Sequence, residues 1–345
     1  MKTSRRAFLS TAALAGAGLA GDAVGMPSTA AGSVRFCAFA DIHYAKGDFW
    51  PNSNYEWIDR ILDRAVKERV DFVIHLGDMV FYPREDRAYV ERYNAFDKVK
   101  TYHVLGNHEF EHASFGDVAP LFGLPKGYGR FDCKGFRFIV LDPHYHEQDG
   151  KLVHFDHHCS YPKERIKYIV PPDQMDWLKR TIDEADGPCV VLAHERFDNA
   201  RGRVYNHREI RKVLTDANAK TPGKIRLVIN GHHHRDHFQI LDGIPYLDLN
   251  SASYDIEDVK HAAYPESFCR ECGAAPWLLK WNDPLSAIIT LTDDGGLRID
   301  GSESSYYLGV TPEMAGWSEL PSQLDRPTRC RIQSIDLKMS YSTKN

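Results

Sequence analysis

The chain has 345 residues, of which 43% are hydrophobic and 26% charged, an ordinary composition for a globular protein with one or two domains. Its formal net charge of −5 argues against a general nucleic-acid-binding surface, so no nucleic-acid partner is expected. No run of about 18 or more apolar residues occurs, so the sequence predicts no stable membrane span.

Residues 1–30 are typical of an export signal rather than of a folded element. Arg5 and Arg6 precede a mildly apolar, Ala/Gly-rich run, Thr11–Gly21. Two adjacent arginines before such a run form a twin-arginine signal, which the twin-arginine translocation machinery reads. We therefore expect removal of this segment and export to the periplasm or the outside of the cell. A flexible basic N-terminus is the alternative, and two small-residue stretches leave the cleavage site open.

Seven cysteines raise the question of disulfides in an exported protein, and an odd number leaves at least one thiol unpaired within a monomer. Cys37 and Cys189 lie in apolar, strand-like runs, which predicts buried thiols. Cys269 and Cys272 have Cys-x-x-Cys spacing, but a second such pair is missing. A local disulfide or two free thiols therefore fits this pair better than a structural zinc site.

After the predicted signal, strands and helices alternate along the chain. The apolar run Phe36–Ala40 is followed by helical spacing over Ile58–Val66 and then by the apolar run Phe72–Leu76. This is a βαβ pattern, so its two strands should be parallel. Further strands are predicted at Tyr102–Leu105, Phe136–Leu141, Cys189–Ala193 and Ile225–Ile229, and further helices after Pro172 and around Ile210–Leu214.

Beyond residue 236 the pattern changes to antiparallel hairpins. Phe238–Leu241 and Tyr246–Leu249 flank an Asp-Gly turn, and a second hairpin is predicted between residues 285 and 299. Residues 142–172 and 254–284 are expected to be long irregular insertions. We therefore expect one main domain at 31–302 and a C-terminal tail, 303–345, packed on or near it.

Potential metal ligands follow five of the predicted strands, at the point where each strand ends. In open α/β sheets, ligands collect in the crevice at the carboxyl ends of strands, so these residues should converge on one place. Their His, Asp and Asn side chains offer the nitrogen and oxygen donors that suit divalent first-row metals. The seven candidate ligands are Asp41, His43, Asp78, Asn107, His194, His232 and His234.

No single one of these clusters would be informative, because a lone histidine at a strand end is more often a hydrogen-bonded structural residue. The order of all five clusters along the chain carries the prediction: Asp-x-His, Gly-Asp, Gly-Asn-His-Glu, a histidine after a strand, and Gly-His-x-His. Asp41 and His43 occupy alternate positions, so both side chains can face the same way, and the same holds for His232 and His234.

This order resembles the calcineurin-like metallophosphoesterase superfamily, over about residues 34–300. The motifs that carry the resemblance are Asp41-Ile42-His43, Gly77-Asp78, Gly106-Asn107-His108-Glu109, Val191-Leu192-Ala193-His194 and Gly231-His232-His233-His234. The resemblance implies an α/β fold, a four-layer α/β/β/α sandwich of two mixed sheets with helices outside. It implies one metal held by Asp41, His43, Asp78 and His234, and another held by Asp78, Asn107, His194 and His232, with Asp78 as the bridge.

Two divalent ions, with Mn, Fe and Zn as the candidates, would supply a bridging hydroxide nucleophile at neutral pH and offset charge on a phosphoryl group. His108 directly follows the ligand Asn107 and has no ligand role itself, so we expect it to be the general acid for the leaving group. A hydrogen-bond partner of the ligands is the alternative for His108. The expected activity is hydrolysis of small phosphomonoesters or phosphodiesters. The alternative is a catalytically silent metal-binding or scaffold protein of the same fold.

Two departures from related groups narrow this expectation. The second motif lacks the Asp and Arg of the Gly-Asp-x-x-Asp-Arg-Gly pattern, which argues against a Ser/Thr protein phosphatase and leaves His108 without its usual orienting carboxylate. Purple acid phosphatases resemble Asp-x-Gly at the first motif, where this chain has His43. Tyr82 lies one place beyond the position of their tyrosine ligand, so we expect a packing or rim residue there.

Other polar side chains near the motifs have weaker predictions. The histidines of the first insertion are expected to lie in a polar, solvated loop, with a substrate-contacting role as the alternative; they are His144, His146, His154, His157 and His158. Lys46, Arg196 and Arg235 follow ligand positions closely, so each either contacts a substrate phosphate or is a surface charge.

Overall fold

The structure, a computed structural model, describes residues 32–46, 55–156, 167–198, 203–256, 264–273, 275–316 and 328–341. The predicted export segment, 1–30, lies outside the described residues, and so do His157 and His158. Among the helices that the structure describes, none is long and apolar enough to span a membrane.

The strands in chain order are β1 Ser33–Phe39, β2 Phe72–Leu76, β3 Lys100–Val104, β4 Gly129–Cys133, β5 Phe136–Val140, β6 Tyr145–Gln148, β7 Lys151–His154, β8 Cys189–Leu192, β9 Ile225–Asn230, β10 His237–Leu241, β11 Ile244–Asp248, β12 Tyr254–Ile256, β13 Leu278–Lys280, β14 Ala287–Thr292, β15 Gly296–Asp300 and β16 Ile335–Lys338. The α-helices are α1 Glu56–Lys67, α2 Arg87–Asn94, α3 Phe115–Leu121, α4 Pro172–Asp183, α5 His207–Lys220 and α6 Glu266–Glu271. Short 3-10 helices lie at His108–Phe110, Ala275–Trp277 and Tyr307–Gly309.

Two mixed sheets contain most of these strands. The first has the order β16-β15-β14-β1-β2-β3, in which β1, β2 and β3 are parallel and the β14–β16 side is antiparallel. The second has the order β10-β11-β9-β8-β5-β4, with a parallel centre and an antiparallel strand at each edge. The parallel strands of both sheets thus present their carboxyl ends together, which is where the candidate ligands lie.

The alternation of side chains along each strand produces the layers. Phe36, Phe72 and Phe138 lie between the sheets, with the rings of Phe36 and Phe138 meeting edge to face at 5.4 Å. The opposite faces of the same strands, for example at Cys37 and Val73, pack against the buried sides of the helices. Because successive strand side chains point to opposite faces, one set of strands serves both contacts. The predicted four-layer α/β/β/α architecture is confirmed.

Helix α1 shows why the sequence pattern predicted the outer layers well. Ile58, Ile61 and Leu62 recur at helical spacing and are buried against the sheet. Acidic residues lie in its first turn and basic residues in its last, which complements the helix dipole. The predicted helix between the first two strands is therefore confirmed, as are helices α4 and α5.

The two insertions and the tail contain more regular structure than predicted. The expectation of an irregular segment at 142–172 is wrong in part, because β6 and β7 form a hairpin there. The segment 254–284 likewise contains β12, β13 and α6. In the tail, β16 pairs with β15 and forms one edge of the first sheet.

Candidate metal centre

The carboxyl ends of β1, β2, β8 and β9 are held together by main-chain hydrogen bonds. The N–H of Asp41 donates to the carbonyl of Gly77 at 2.9 Å, and the N–H of His43 donates to the carbonyl of Asp78 at 3.0 Å. In the second sheet, the N–H of Gly231 donates to the carbonyl of His194 at 3.0 Å. The first motif loop is therefore fixed to the second, and the fourth to the fifth, by main-chain contacts alone.

Asp41, His43 and His234 form a first donor group. The Nε2 atoms of the two histidines lie 2.9 Å apart, and Nε2 of His234 lies 3.3 Å from Oδ1 of Asp41. All three residues are buried. The third pair, Nε2 of His43 and Oδ1 of Asp41, is 3.8 Å apart. Donor atoms bonded to one ion at about 2.1 Å would be separated by roughly 3–4 Å, so this group has the spacing that a single divalent ion needs.

Asp78, His194 and His232 form a second donor group. Nε2 of His194 lies 2.9 Å from Oδ2 of Asp78, and the rings of the two histidines are 5.0 Å apart. The two groups adjoin, because Oδ2 of Asp78 is also 3.9 Å from Nε2 of His43. Asp78 therefore occupies the position between the groups that the bridging assignment requires.

Asn107 is buried next to the second donor group. It follows β3, and the N–H of the next residue, His108, donates to Oδ1 of Asp78 at 2.9 Å. The structure thus brings all five predicted clusters to one place, although the assignment of each residue to a particular metal stays a prediction.

Five of the candidate ligands have left-handed backbone conformations. The φ angles are 54° at Asp41, 50° at His43, 58° at Asp78, 73° at His232 and 54° at His234. Such conformations cost non-glycine residues about 1–2 kcal/mol each, and they concentrate at functional sites. The strain is stored where side chains must turn towards a common point.

Two motif glycines are required by close approach. Gly77 has a φ of 97°, and a Cβ atom there would lie 2.3 Å from Nδ1 of His194. A Cβ atom on Gly106 would lie 2.2 Å from Oδ1 of Asp78. These positions explain physically why Gly precedes Asp78 and Asn107 in the sequence motifs.

Glu109 connects the second and third motifs. Its buried carboxylate accepts hydrogen bonds from the N–H groups of Gly106 at 2.7 Å, Met79 at 2.6 Å and Asp78 at 3.1 Å. The sequence alone indicated no role for Glu109. Its place in Gly-Asn-His-Glu was the available signal, but only the fold shows that the carboxylate collects donors from a different loop.

The protonation states of several donors suit metal binding. Burial lowers the pKa of His43 and of His232 well below the usual value, so both imidazoles are neutral, as metal ligands must be. Burial by itself raises the pKa of Asp78, but His194, His108 and His43 outweigh it, so this carboxyl is ionised. Burial also opposes charge on His194, but Asp78 and Asp41 raise its pKa well above the usual value, so a metal would displace a proton from it.

His194 is oriented as a metal-ligating histidine usually is. Its Nδ1 atom lies 2.7 Å from the carbonyl of Leu76, an acceptor that fixes the proton on Nδ1. Nε2 then faces Asp78 and the second donor group. Such an outer hydrogen bond sets the tautomer and ring orientation of ligating histidines. The donor types, their spacing and this orientation therefore fit two divalent ions.

His108 lies beside the donor groups and contacts a carboxylate that sequence analysis missed. Its Nδ1 is 2.8 Å from Oε1 of Glu111, and its Nε2 is 3.9 Å from Oδ2 of Asp78. Burial lowers the pKa of His108, but Asp78 and Glu111 outweigh it and raise the pKa to about 9. The two glutamates of Gly-Asn-His-Glu-Phe-Glu thus have different partners. The i,i+3 spacing of His108 and Glu111 was the available signal.

The expectation of a solvated histidine loop is wrong for His144, which is fully buried. Nδ1 of His144 lies 2.7 Å from Asp142, and Nε2 lies 2.9 Å from Glu195. His154 also contacts Asp142, at 2.9 Å. We call these four residues the buried ion cluster. It lies behind the second donor group, since the rings of His144 and His194 are 6.5 Å apart.

The three basic residues near the motifs differ in their exposure to solvent. Arg196 is buried and pairs with Asp198 and Asp248, and Arg235 is buried and pairs with Asp255 at 2.9 Å. Neither arginine is the surface charge that one alternative predicted. Lys46 is exposed, and its role as a surface charge or a phosphate contact stays a prediction.

The fold and this donor set together define a class of protein. Two mixed sheets packed face to face, with His and Asp groups at the shared carboxyl ends of their strands, are the architecture of metallophosphoesterases. Residues 34–236 match the family model described as calcineurin-like phosphoesterase, and the chain belongs to this family.

Solved structures show the same fold at low sequence identity. A dimetal phosphatase from Danio rerio is 16% identical with a TM-score of 0.57, over 89% of this chain and 99% of that one. GAP50, the anchor in the inner membrane complex of Plasmodium, is 12% identical with a TM-score of 0.51, over 90% of each chain. No curated protein sequence matches the chain. At these identities the structural likeness shows the fold alone.

Proposed function

We propose that the protein is a binuclear metal-dependent phosphohydrolase that acts on small phosphomonoesters or phosphodiesters. One observation carries the proposal: the two donor groups adjoin at Asp78, with Oδ2 of this residue 2.9 Å from His194 and 3.9 Å from His43. A mononuclear site would need only one of the groups. The name of the Danio rerio structure, a dimetal phosphatase, is consistent with this reading.

In this proposal, one metal is held by the first donor group with Asp78, and the other by the second donor group with Asn107. When bound, two divalent ions, Mn, Fe or Zn, polarise the phosphoryl oxygens and lower the pKa of water for attack at phosphorus. The Asp78 carboxylate is ionised, the imidazoles of His43 and His232 are neutral, and a bound ion would displace the proton of His194.

His108 is the proposed general acid. Its raised pKa, about 9, means that it carries a proton at neutral pH, and Nδ1 is directed at Glu111, so Nε2 is left to face the substrate side. As the P–O bond breaks, the leaving oxygen would take this proton from Nε2. A positive charge on the bound ions would lower this pKa towards the operating range.

The test is a metal count combined with turnover. Purified protein is loaded with Mn, Zn or Fe in turn and assayed with 4-nitrophenyl phosphate and bis(4-nitrophenyl) phosphate. We expect two ions per chain and hydrolysis of at least one ester. The Asp78→Asn variant should lose both the metal ions and the hydrolysis. The control is His233→Asn, which lies between the ligands His232 and His234 but outside the donor groups, and it should retain both.

Each result has a definite meaning. Two ions per chain without hydrolysis of either ester would favour the metal-binding scaffold over the enzyme. One ion per chain would remove the binuclear assignment. Equal hydrolysis by wild type and Asp78→Asn would show that the activity comes from a contaminating phosphatase.

We also propose that residues 1–30 direct export through the twin-arginine translocation machinery, to the periplasm or the outside of the cell. The supporting observation is the Arg5-Arg6 pair before an Ala/Gly-rich run. This route carries folded proteins, so the metals would be chosen before export. Cell fractionation should show that Arg5Arg6→LysLys blocks export and that Lys2→Ala does not. Normal export of the double variant would refute the assignment.

A further inference from the structure

Two exposed aromatic rings stack on each other at the edge of the candidate site. Tyr82 is 38% exposed, and its ring centroid lies 4.5 Å from that of His112, also exposed, with 25° between the planes. We call this pair the aromatic platform. Neither residue belongs to a donor group or to the buried core.

The platform is connected to the site on the His108 side. The ring of Phe81 lies 4.9 Å from that of His108 and 5.0 Å from that of His43, and Tyr82 is the next residue along. The rings of Phe81 and Tyr82 are 6.5 Å apart. In the loop that follows the 3-10 helix His108–Phe110, Glu111 contacts His108 and immediately precedes His112.

The exposure of the pair is informative because aromatic rings normally contribute to stability by burial. Both rings are exposed, and an exposed aromatic face attracts a further planar ring by offset stacking. The ring of the preceding residue, Phe81, already packs against the rings of His43 and His108. Packing at this side of the site therefore does not require the ring of Tyr82.

The position of the platform relative to His108 decides which part of a substrate would meet it. A general acid donates its proton to the leaving oxygen, so the rest of the leaving group must lie on the side of the acid. We propose that the leaving group carries a planar heteroaromatic ring that stacks on the platform, so that the substrate class is nucleoside phosphoesters. This inference rests on the proposed function, because it uses His108 as the acid.

The experiment compares two ligands that differ only by the base. Adenosine 5′-monophosphate and ribose 5-phosphate share the phosphate and the same primary 5′ oxygen. Each is used as a competitor of 4-nitrophenyl ester hydrolysis by the metal-loaded protein, so that its apparent inhibition constant is obtained whether or not it is turned over. Base stacking on aromatic side chains is worth about 1–3 kcal/mol, so we expect adenosine 5′-monophosphate to compete about 5- to 150-fold more strongly.

Three variants assign the preference to the platform. Tyr82→Ala and His112→Ala should each reduce it, while Tyr82→Phe should keep it, because the ring remains. Tyr341→Ala is the matched control, since Tyr341 packs near Gly223, before β9 begins and away from the motif that follows β9. The control should leave the preference unchanged.

Separate measurements test the aromatic platform and the proposed function: base preference tests the platform, and ester hydrolysis tests the function. Equal inhibition by the two ligands in wild type, or equal loss of preference in Tyr82→Ala and Tyr341→Ala, would overturn the platform while leaving phosphoester hydrolysis in place. If neither 4-nitrophenyl ester is hydrolysed, the proposed function fails, and the two ligands are titrated by calorimetry instead. Absence of a base preference in that titration would overturn the platform as well.

Discussion

Oε1 of Glu111 lies 2.8 Å from Nδ1 of His108, and each side chain is only about one-fifth exposed, at 19% and 21% respectively. The second motif lacks the aspartate that would orient an acid histidine in protein-phosphatase relatives. Here Glu111, three residues after His108, supplies the carboxylate instead. The contact fixes the ring of His108 and stabilises its charged form, so Glu111 is a positioning residue for the proposed acid.

Replacing Glu111 by Gln should change the pH dependence of turnover. A group with a raised pKa keeps its proton until the pH rises through that pKa. Glu111 raises the pKa of His108, so removal of the Glu111 charge should lower that pKa. The falling limb of kcat should therefore move to lower pH, with a loss of roughly 10- to 100-fold in kcat/KM at pH 8. Metal content should not change. The exposed Glu266→Gln serves as a control, and an unshifted limb would remove the positioning role.

His108 itself should show its role through the leaving group. His108→Asn should lower kcat by roughly 10²–10⁴-fold for an alkyl phosphoester, because the alkoxide needs a proton as it departs. The loss should be small for a 4-nitrophenyl ester, whose phenolate leaves without help. Rates for both substrates and the metal content are measured together. Equal losses would make His108 a phosphate-positioning residue, and loss of metal would make it a ligand or a support of one.

Gly77 is predicted to tolerate no side chain. Ala at this position would place Cβ 2.3 Å from Nδ1 of His194 on a backbone with a φ of 97°. We expect Gly77→Ala to destabilise the protein by at least about 3 kcal/mol, from strain and displacement of His194 together. Gly150→Ala is the control, because its φ is also positive, 72°, and no neighbour lies within 4 Å. It should cost about 1–2 kcal/mol.

Urea unfolding and metal content distinguish the two glycine variants. Gly77→Ala should also bind less metal, because His194 belongs to the second donor group. Equal unfolding free energies for the two variants would show that the close approach to His194 does not constrain this loop.

The sequence predicted those parts of the fold whose pattern is local. Strand β2 was predicted at its observed bounds, Phe72–Leu76, because a strand buried on both faces is a continuous apolar run. The candidate ligands were found because each one follows such a run. The hairpin of β6 and β7 was missed, since Tyr145–Gln148 and Lys151–His154 are partly exposed and show no clear apolar alternation.

The partners of charged side chains could not be predicted, because they come from distant parts of the chain. Arg196 is typical of a surface or phosphate-binding residue in sequence, yet Asp248 reaches it across 52 positions and allows its burial. Glu195 and His144, which follow the neighbouring strands β8 and β5, meet in the same way. Pairing of buried charges depends on the tertiary structure, so a local sequence pattern does not predict it.

The buried ion cluster should contribute strongly to stability, in a way that depends on pH. Burial by itself raises the pKa of Asp142, but His154 and His144 outweigh it and hold the pKa well below its ordinary value of 3.8. Burial opposes charge on His144, but Glu195 and Asp142 raise its pKa from 6.5 to about 10. The stability from Asp142 is thus present above 3.8 and lost as the pH falls, whereas that from His144 is present below 6.5 and lost as the pH rises through about 10.

Asp142→Asn should therefore be most damaging between these limits. At pH 6 we expect a loss of about 3–5 kcal/mol in the free energy of unfolding, because fully buried His144 keeps only Glu195 as a carboxylate partner and His154 loses its contact with Asp142. The difference from wild type should narrow as the pH falls below the ordinary Asp value of 3.8, since the unfolded chain then takes up a proton that folded Asp142 excludes. The control is Asp149→Asn, at an exposed position in the turn between β6 and β7. Its free energy of unfolding should stay within about 0.5 kcal/mol of the wild-type value. Urea unfolding at several pH values measures both variants. A loss at Asp142 as small as that at Asp149, or one that grows with acidification, would show that the cluster does not hold the ionised pair that its distances indicate.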